Sequence, residues 1–364
     1  LFVKLTERSM IAMNQLFGER FKSARLLNGF SLQGLADALG NKVTKQALHK
    51  YEKGEVVPDS EKLSLLSDAL NVRPDYFFRP MAVELGPIEY RKLKRMPAKE
   101  EQRIIEQTRE YLSRYLELEE LLGVKYEFKD PLNDFPVIRE FKQIDEAALE
   151  LRKAWNLGLG PIFNIPELLE DKHIKVVEID AEISFDGLQT KVNGNIPVIA
   201  YNRNIADKLD RVRFTLLHEL GHLLLKFDPQ LTENQREKLC HQFAGAMLLP
   251  EQTIREELGA HRNRLSVTEL GHIKSQYGIS MQALVYRANL LNIVNDNYKN
   301  QFFNMMKQMG WRTEEPTVYV GVEKATRFDQ LLYRAIAEEL ISISKGAALK
   351  NMKLSDFRSQ SLVM

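Results

Sequence analysis

The chain has 364 residues, of which 44% are hydrophobic and 28% charged, with a formal net charge of +1. That is ordinary globular composition, enough for two or three domains. A single cysteine, Cys240, excludes an internal disulfide, and on its apolar helical face it reads as a packed thiol in a reducing cytoplasm. No run approaches transmembrane length, and Leu1 to Arg8 lacks the order of a signal peptide, so the expected location is cytoplasmic, without a membrane partner. Because the chain begins with Leu1, Met10 and Met13 are the candidate translation starts, and residues 1–12 receive no function.

Phe17, Phe21, Ala24 and Leu27 recur at helical spacing and predict a first helix. Ser31 caps a short helix that runs to Leu39 and is ended by Gly40, and Thr44 caps a third. Two short helices joined by a tight turn make the helix-turn-helix arrangement, whose second member enters the major groove of DNA. A fourth helix starts at Pro58-Asp59-Ser60, with Leu63, Leu66 and Leu70 as its core stripe, and Pro74 to Phe78 closes the unit.

Leu35-Ala36, Tyr51-Glu52-Lys53-Gly54, Pro58 and Leu63 to Leu70 resemble the Xre-type repressor domain, an all-α, lambda-repressor-like fold. The resemblance implies that Lys45, Gln46 and His49 face base edges, where glutamine reads adenine and lysine reaches guanine. Lys42, Lys50 and Lys53 read as phosphate contacts, which position without specifying. The implied partner is a double-stranded DNA operator. Since the charge of residues 13–80 is only slightly positive, the alternatives are a helical bundle with a solvated face or a fold recruited for protein contacts.

A charged helix is predicted from Lys99 to Leu122. Its Ile104, Thr108, Tyr111, Tyr115, Leu118 and Leu122 form a heptad-like seam that either docks on its own chain or pairs two chains as a homodimer. Helices at Ile144 to Trp155 and Pro166 to Asp171 come next. Strand-like runs follow at Ile174 to Ile179, Gly187 to Val192 and Pro197 to Tyr201.

The run from Phe214 to Leu225 reads as one buried helix and contains His218-Glu219-Leu220-Gly221-His222. At 3.6 residues per turn, His218 and His222 share a face and can converge on one Zn2+, while Glu219 is placed to take a proton from water. Thr268-Glu-Leu-Gly-His272 is a built-in contrast, because Thr268 stands where the first histidine would be; it predicts a plain amphipathic helix. A catalytic zinc site needs a third protein ligand. Asn234 to Pro250 predicts a further helix, with Leu239, Cys240, Phe243 and Met247 on its buried side. Glu237 on it is either that ligand or a solvated helix-start carboxylate, and His241 could orient a ligand through a hydrogen bond.

Arg213 to Leu225 followed by Glu237 to Pro250 resembles the ImmA/IrrE metallopeptidases, a resemblance covering roughly residues 140 to 295. It implies an α+β zincin-like domain and makes Glu237 the third ligand beside His218 and His222, with Glu219 as catalytic base. The chain departs from that pattern at Cys240 and at His241, which stands where an asparagine is usual, so His241 is either an orienting group or an alternative ligand. Tyr201, Arg211 and Arg213 are the candidate donors to the oxyanion. Zn2+ is the expected ion, and Mn2+ or another divalent ion would also suit the ligand set. Past residue 300, Gly310 to Arg312 and Phe328 to Ser344 predict a last helical element, with Trp311 a core anchor.

The expected protein is therefore multi-domain. A helix-turn-helix domain spans 13–80, a helical linker and candidate dimerisation element 81–139, a metallopeptidase domain 140–295 and a helical C-terminal extension 296–364. The expected function is a DNA-binding regulator whose zinc-dependent endopeptidase cleaves a repressor or other regulatory protein, the chain itself being one candidate. The alternatives are a non-catalytic sensor of metal or peptide and an antitoxin-like regulator of a neighbouring toxin gene.

Overall fold

The structure, a computed structural model, describes residues 7–79, 83–86, 89–90, 96–182 and 185–361; residues 1–6, part of the N-terminal reading, lie outside it. It divides into two compact units, Leu1–Glu84 with Lys92–Glu117, and Leu85–Arg91 with Leu118–Met364.

The first unit is helical. Helices α1 (Glu7–Leu27), α2 (Leu32–Ala38), α3 (Lys45–Glu52) and α4 (Ser60–Ala69) are followed by a 3-10 turn at Pro74–Phe78. Each short helix begins where a side chain can satisfy an otherwise orphaned amide: Ser31 accepts from the Gly34 amide at 2.9 Å, Thr44 from Ala47 at 3.2 Å, and Asp59 from Lys62 at 2.9 Å. Phe17, Phe21, Leu35, Leu48, Leu66 and Phe77 close the core. Helix α1 begins ten residues before the apolar register predicts, because Met10 and Ile11 in its first turns are exposed and give no buried stripe to read.

Two glycines let α1 and the end of α3 touch. A Cβ on Gly18 would lie 2.7 Å from the carbonyl oxygens of Tyr51 and Glu52, and one on Gly54, whose φ is +66°, would lie 2.7 Å from the Asn14 carbonyl. Arg25 on α1 pairs with Glu52 on α3 at 2.6 Å, fixing the same junction. Of the seam on helix α5 (Ala98–Leu121) and the residue after it, Ile104, Thr108, Tyr115 and Leu118 are buried, and Tyr111 and Leu122 are half-buried. Arg20 stacks on Tyr76, 3.8 Å from its ring centroid, and reaches Glu110 of α5 at 3.0 Å.

The second unit is built around a four-stranded mixed sheet. Strands β1 (Glu89–Tyr90), β2 (Lys175–Ile179), β3 (Gly187–Val192) and β4 (Ile196–Asn202) lie in the order β1-β3-β4-β2, parallel only between β2 and β4. Helices α6 (Lys142–Ala154) and α7 (Ile165–Asp171) precede β2. After β4 come α8 (Leu209–Leu224), α9 (Glu233–Leu248), α10 (Glu251–Leu258), α11 (Val267–Tyr277), α12 (Met281–Leu290) and α13 (Asp296–Gln308). Helix α8 packs on β3 and β4 and against α9, which also meets α6 and α12. Packing on the sheet side and the helix side buries α8 along most of its length, its polar Arg213, Thr215, His218 and Glu219 included.

The run expected as one element from Phe328 to Ser344 is two helices. Helices α14 (Arg327–Ala337) and α15 (Ile343–Leu349) are separated at Glu339, whose φ is +56°, and α16 (Leu354–Ser361) follows. Ahead of α14 an extended segment is tied down by acids. Glu315 accepts from the Lys274 ammonium and the Met281 amide, each at 2.8 Å, and Glu323 accepts from the Ile165 amide at 2.8 Å and pairs with Arg213. Neither Arg213 nor Glu323 has an exposed side chain; burial pushes the Glu323 carboxyl up, against the pull of the guanidinium.

Two stability outcomes follow from these contacts. Gly54→Ala should lower the stability of the first unit by about 1–3 kcal/mol, read by urea denaturation followed by far-UV dichroism. An unchanged midpoint would mean that α1 and α3 need no such approach. Arg213→Met should cost about 3–5 kcal/mol because it strands the Glu323 carboxylate in the interior. Adding Glu323→Leu should recover part of that loss.

Candidate functional site

Helix α8 carries His218 and His222 on one face, and the following helix α9 runs back alongside it. Gly221 permits the approach: a Cβ there would already lie 3.1 Å from the Phe243 ring and 3.4 Å from the Cys240 sulfur. Cys240 and Phe243 are fully buried at this contact. A capping box, in which Thr232 and Gln235 bond reciprocally, fixes the start of α9 one turn before Glu237. The far end of α9 is held by two buried arginines, Arg152 donating to the Met247 carbonyl and Arg287 to the Leu249 carbonyl at 2.6 Å.

The consequence is a tight cluster. One ligand atom from each of His218, His222 and Glu237 lies within 4.8 Å of the others, the group that this spacing picks out among the described residues. The two Nε2 atoms are 3.0 Å apart, and Glu237 approaches His222 at 3.1 Å and His218 at 3.4 Å. Three atoms that all offer lone pairs face one another, an arrangement that a cation or a proton reconciles. Bonds of about 2.0–2.1 Å in tetrahedral geometry put ligand atoms roughly 3.3 Å apart, so the donor set and its spacing fit a zinc-sized ion.

His218 is fully enclosed, whereas 24% of the Glu237 side chain is exposed, so the cluster is closed on the α8 side and open on the α9 side. Burial pushes the Glu237 carboxyl up, but hydrogen bonds and charge from His218 and His222 outweigh it and hold the group well below the usual carboxylate range. Glu219, buried beside His218, lies against β3: a Cβ on Gly187 would meet its Cγ at 3.2 Å and the Ala200 carbonyl at 3.0 Å. His241 stays outside the cluster, with its ring 4.5 Å from that of His218 and stacked on Phe214 at 5.8 Å.

The expected oxyanion donors are placed elsewhere or already engaged. Arg213 points into the buried pair with Glu323 and cannot face the cluster; it is a structural anchor, a correction to the sequence reading. Arg211 pairs with Asp186 at 2.5 Å, and Tyr201 is a core residue whose hydroxyl burial pushes up. Gly187, which the sequence marks only as the start of a strand-like run, gains a role here as the close neighbour of Glu219. On the contrast helix α11, His272 is exposed, as a plain amphipathic helix requires.

In the first unit, Lys45, Gln46, His49 and Lys50 on α3, with Lys42 before it and Lys53 after it, are all exposed. They share a helix whose buried side is Leu48 and Tyr51. They run from just before the N-terminus of α3 to its C-cap, Lys53.

Comparison with known proteins divides the chain along the same lines. Residues 21–77 match the helix-turn-helix family, and residues 169–289 match the M78 peptidase family described as the IrrE N-terminal-like domain. The chain therefore carries a helix-turn-helix domain followed by an IrrE-like domain of α+β architecture. Over 64 residues, 18% of this chain and 57% of the relative, it is 42% identical to the SPbeta prophage-derived uncharacterized HTH-type transcriptional regulator YonR of Bacillus subtilis. Over 70 residues, 19% of this chain and 48% of the relative, it is 39% identical to the uncharacterized HTH-type transcriptional regulator y4aM of Sinorhizobium fredii. The chain spans about half the length of the curated relatives it matches. Among the described residues no helix is long and apolar enough to cross a membrane.

Gly187→Ala should destabilise the second unit by about 1–3 kcal/mol by pressing on the β4 backbone and on Glu219. Gly160→Ala, whose Cβ meets nothing within 4 Å, serves as the control and should leave the thermal midpoint unchanged. Equal midpoints for the two variants would contradict the packing of Glu219 on β3.

Proposed function

We propose that the protein is a DNA-binding transcriptional regulator whose IrrE-like domain is a zinc-dependent endopeptidase that cleaves a repressor or another regulatory protein, itself included. The observation that carries this reading is the convergence of His218, His222 and Glu237 with Glu219 buried next to them, inside a segment matched by a peptidase family. His218, His222 and Glu237 would hold the ion, Zn2+ in the first place and Mn2+ as a second choice. Bound there, the ion supplies Lewis acidity, acidifying a water and polarising a carbonyl.

The remaining steps belong to the chain's own groups. The Glu219 carboxylate accepts the proton of the attacking water and returns it to the leaving amine. Gly187 and the α8 backbone restrict where that carboxylate can go. His241, stacked on Phe214 and tilted by 45° against His218, would limit the rotation of the His218 ring from outside the ligand set. On the DNA side, Lys45, Gln46 and His49 read base edges while Lys42, Lys50 and Lys53 hold phosphates, an assignment supported by their shared exposure around α3 and by the HTH-type regulators the chain resembles. Buried Glu219 favours hydrolysis over mere metal or peptide sensing, because a site that only bound would have no use for a carboxylate there.

Two experiments test the two halves. A mixed peptide pool incubated with the zinc-loaded full chain and followed by mass spectrometry should be cut by the wild type and about 100- to 10,000-fold more slowly by Glu219→Gln. Equal rates would remove Glu219 from the role of base. Binding to double-stranded DNA should weaken steeply as salt rises, with Lys50→Ala lowering the slope of log affinity against log salt by about 1. An affinity indifferent to salt would contradict the phosphate contacts.

A further inference from the structure

Phe214, one turn before His218 on α8, lines a pocket of about 220 Å3 whose other walls come from α9 and α12. His241 is part of that lining, and its ring lies 4.5 Å from the ring of His218. An extended peptide advances roughly 3.3 Å per residue, so a side chain one or two residues from a bond held at the His218, His222 and Glu237 cluster reaches the pocket. The volume lies below the roughly 300–1,000 Å3 of sites that take a whole small molecule and above the ~150 Å3 of an apolar cavity that holds benzene, so it suits one large side chain.

Carbon dominates the lining. Phe214, Ala283, Leu290 and the ring of Tyr286 supply apolar surface, and Gly245 leaves the space open, since a Cβ there would meet only the Arg287 Cδ, at 3.6 Å. Gln242 and Arg287, 6% and 2% exposed, add no usable polar group. Gln242 Nε2 donates to the Phe141 carbonyl and to Asp145, and Arg287 donates to the Leu249 carbonyl and to Asp145. Gln242 Oε1 and Arg287 Nη1 have next to no accessible surface, so neither is within reach of a ligand. A polar side chain at this depth would give up its water for walls that offer it little, whereas every methylene placed there is favourable.

Net charge sits at the rim. Arg287 and Asp145 neutralise each other below, while Lys238, the residue after Glu237, is an exposed part of the lining. Among the described residues no hydrogen bond or ion pair engages its ammonium. A free cation in that place favours a carboxylate beside the bound side chain and disfavours a second cation. We propose that the pocket takes a leucine-, methionine- or phenylalanine-sized side chain of the protein substrate within two residues of the bond to be cut, and that Lys238 selects an acidic residue next to it. The substrate role rests on the peptidase reading. The pairing of an apolar side chain with an acid comes from the pocket and its rim.

The test uses acetyl-Glu-Leu-Glu-amide, acetyl-Glu-Ala-Glu-amide and acetyl-Lys-Leu-Lys-amide, titrated against the zinc-loaded Glu219→Gln full chain by saturation-transfer NMR. The first should bind about tenfold more tightly than the second, through the added buried carbons, and about threefold more tightly than the third, a margin that fades in roughly 0.5 M salt. Because the first two peptides carry the same carboxylates, direct contact of glutamate with the ion cancels between them. Gly245→Leu, which fills the pocket, should erase the preference for leucine over alanine. Ala283→Leu, at a half-buried position on the α12 wall, does the same where Gly245→Leu fails to fold. Lys238→Glu should erase or invert the preference for acid and leave that for leucine. Leucine bound no tighter than alanine, or a leucine preference that survives in folded pocket-filling variants, would overturn the pocket assignment. An acid preference untouched by Lys238→Glu would remove that lysine from selection. Leucine preference with no cleavage anywhere in the peptide pool would keep the pocket as a peptide site and sink the peptidase reading. Cleavage with no apolar residue enriched within two positions of the cut would overturn the pocket as a substrate site and leave hydrolysis standing.

Discussion

Three lone-pair donors brought to within 4.8 Å of one another are unfavourable unless positive charge lies among them, and much of the second unit can be understood as what holds them there. Two come from one helix at a spacing of four residues, where the geometry of the α-helix alone guarantees proximity. The third depends on tertiary packing. Glu237 reaches the pair because α9 lies against α8, and the bare backbone of Gly221 facing Cys240 and Phe243 eases that contact, since a Cβ there would press on the Phe243 ring at 3.1 Å. The glycine inside the motif thus serves packing as well as spacing.

Buried arginines do the rest of the fastening. Arg152 and Arg287 end on the last carbonyls of α9, where backbone acceptors would otherwise be orphaned, while Arg213 leaves α8 for the Ile162 carbonyl and Glu323. Each ties a site-bearing helix to a distant segment. Such pairs are poor sources of net stability but very costly to break, so they specify one arrangement of α8 and α9 over others of similar compactness.

Much of this was legible in the residues. Ser31, Thr44 and Asp59 announce their helices because capping is local chemistry, and His218, Glu219 and His222 announce the cluster because their spacing is a helical geometry. The three long strands follow from apolar runs that the sheet buries. What stayed hidden depends on partners far off in the chain. Strand β1 is two residues long and exists through pairing with Leu188 and Gln189. Arg213 looks like a catalytic donor until Glu323, 110 residues later, is placed against it. The break at Glu339 has no glycine or proline to mark it, and the beginning of α1 carries no buried stripe.

The central claim is that His218, His222 and Glu237 together bind one divalent ion. Elemental analysis of the purified full chain, wild type beside His222→Ala and Glu237→Ala, addresses it most directly. The account predicts close to one zinc or manganese per wild-type chain and a large loss in both variants, with helical content unchanged by circular dichroism. Equal metal in all three proteins would contradict it, as would a wild-type chain that retains no divalent ion when one is supplied.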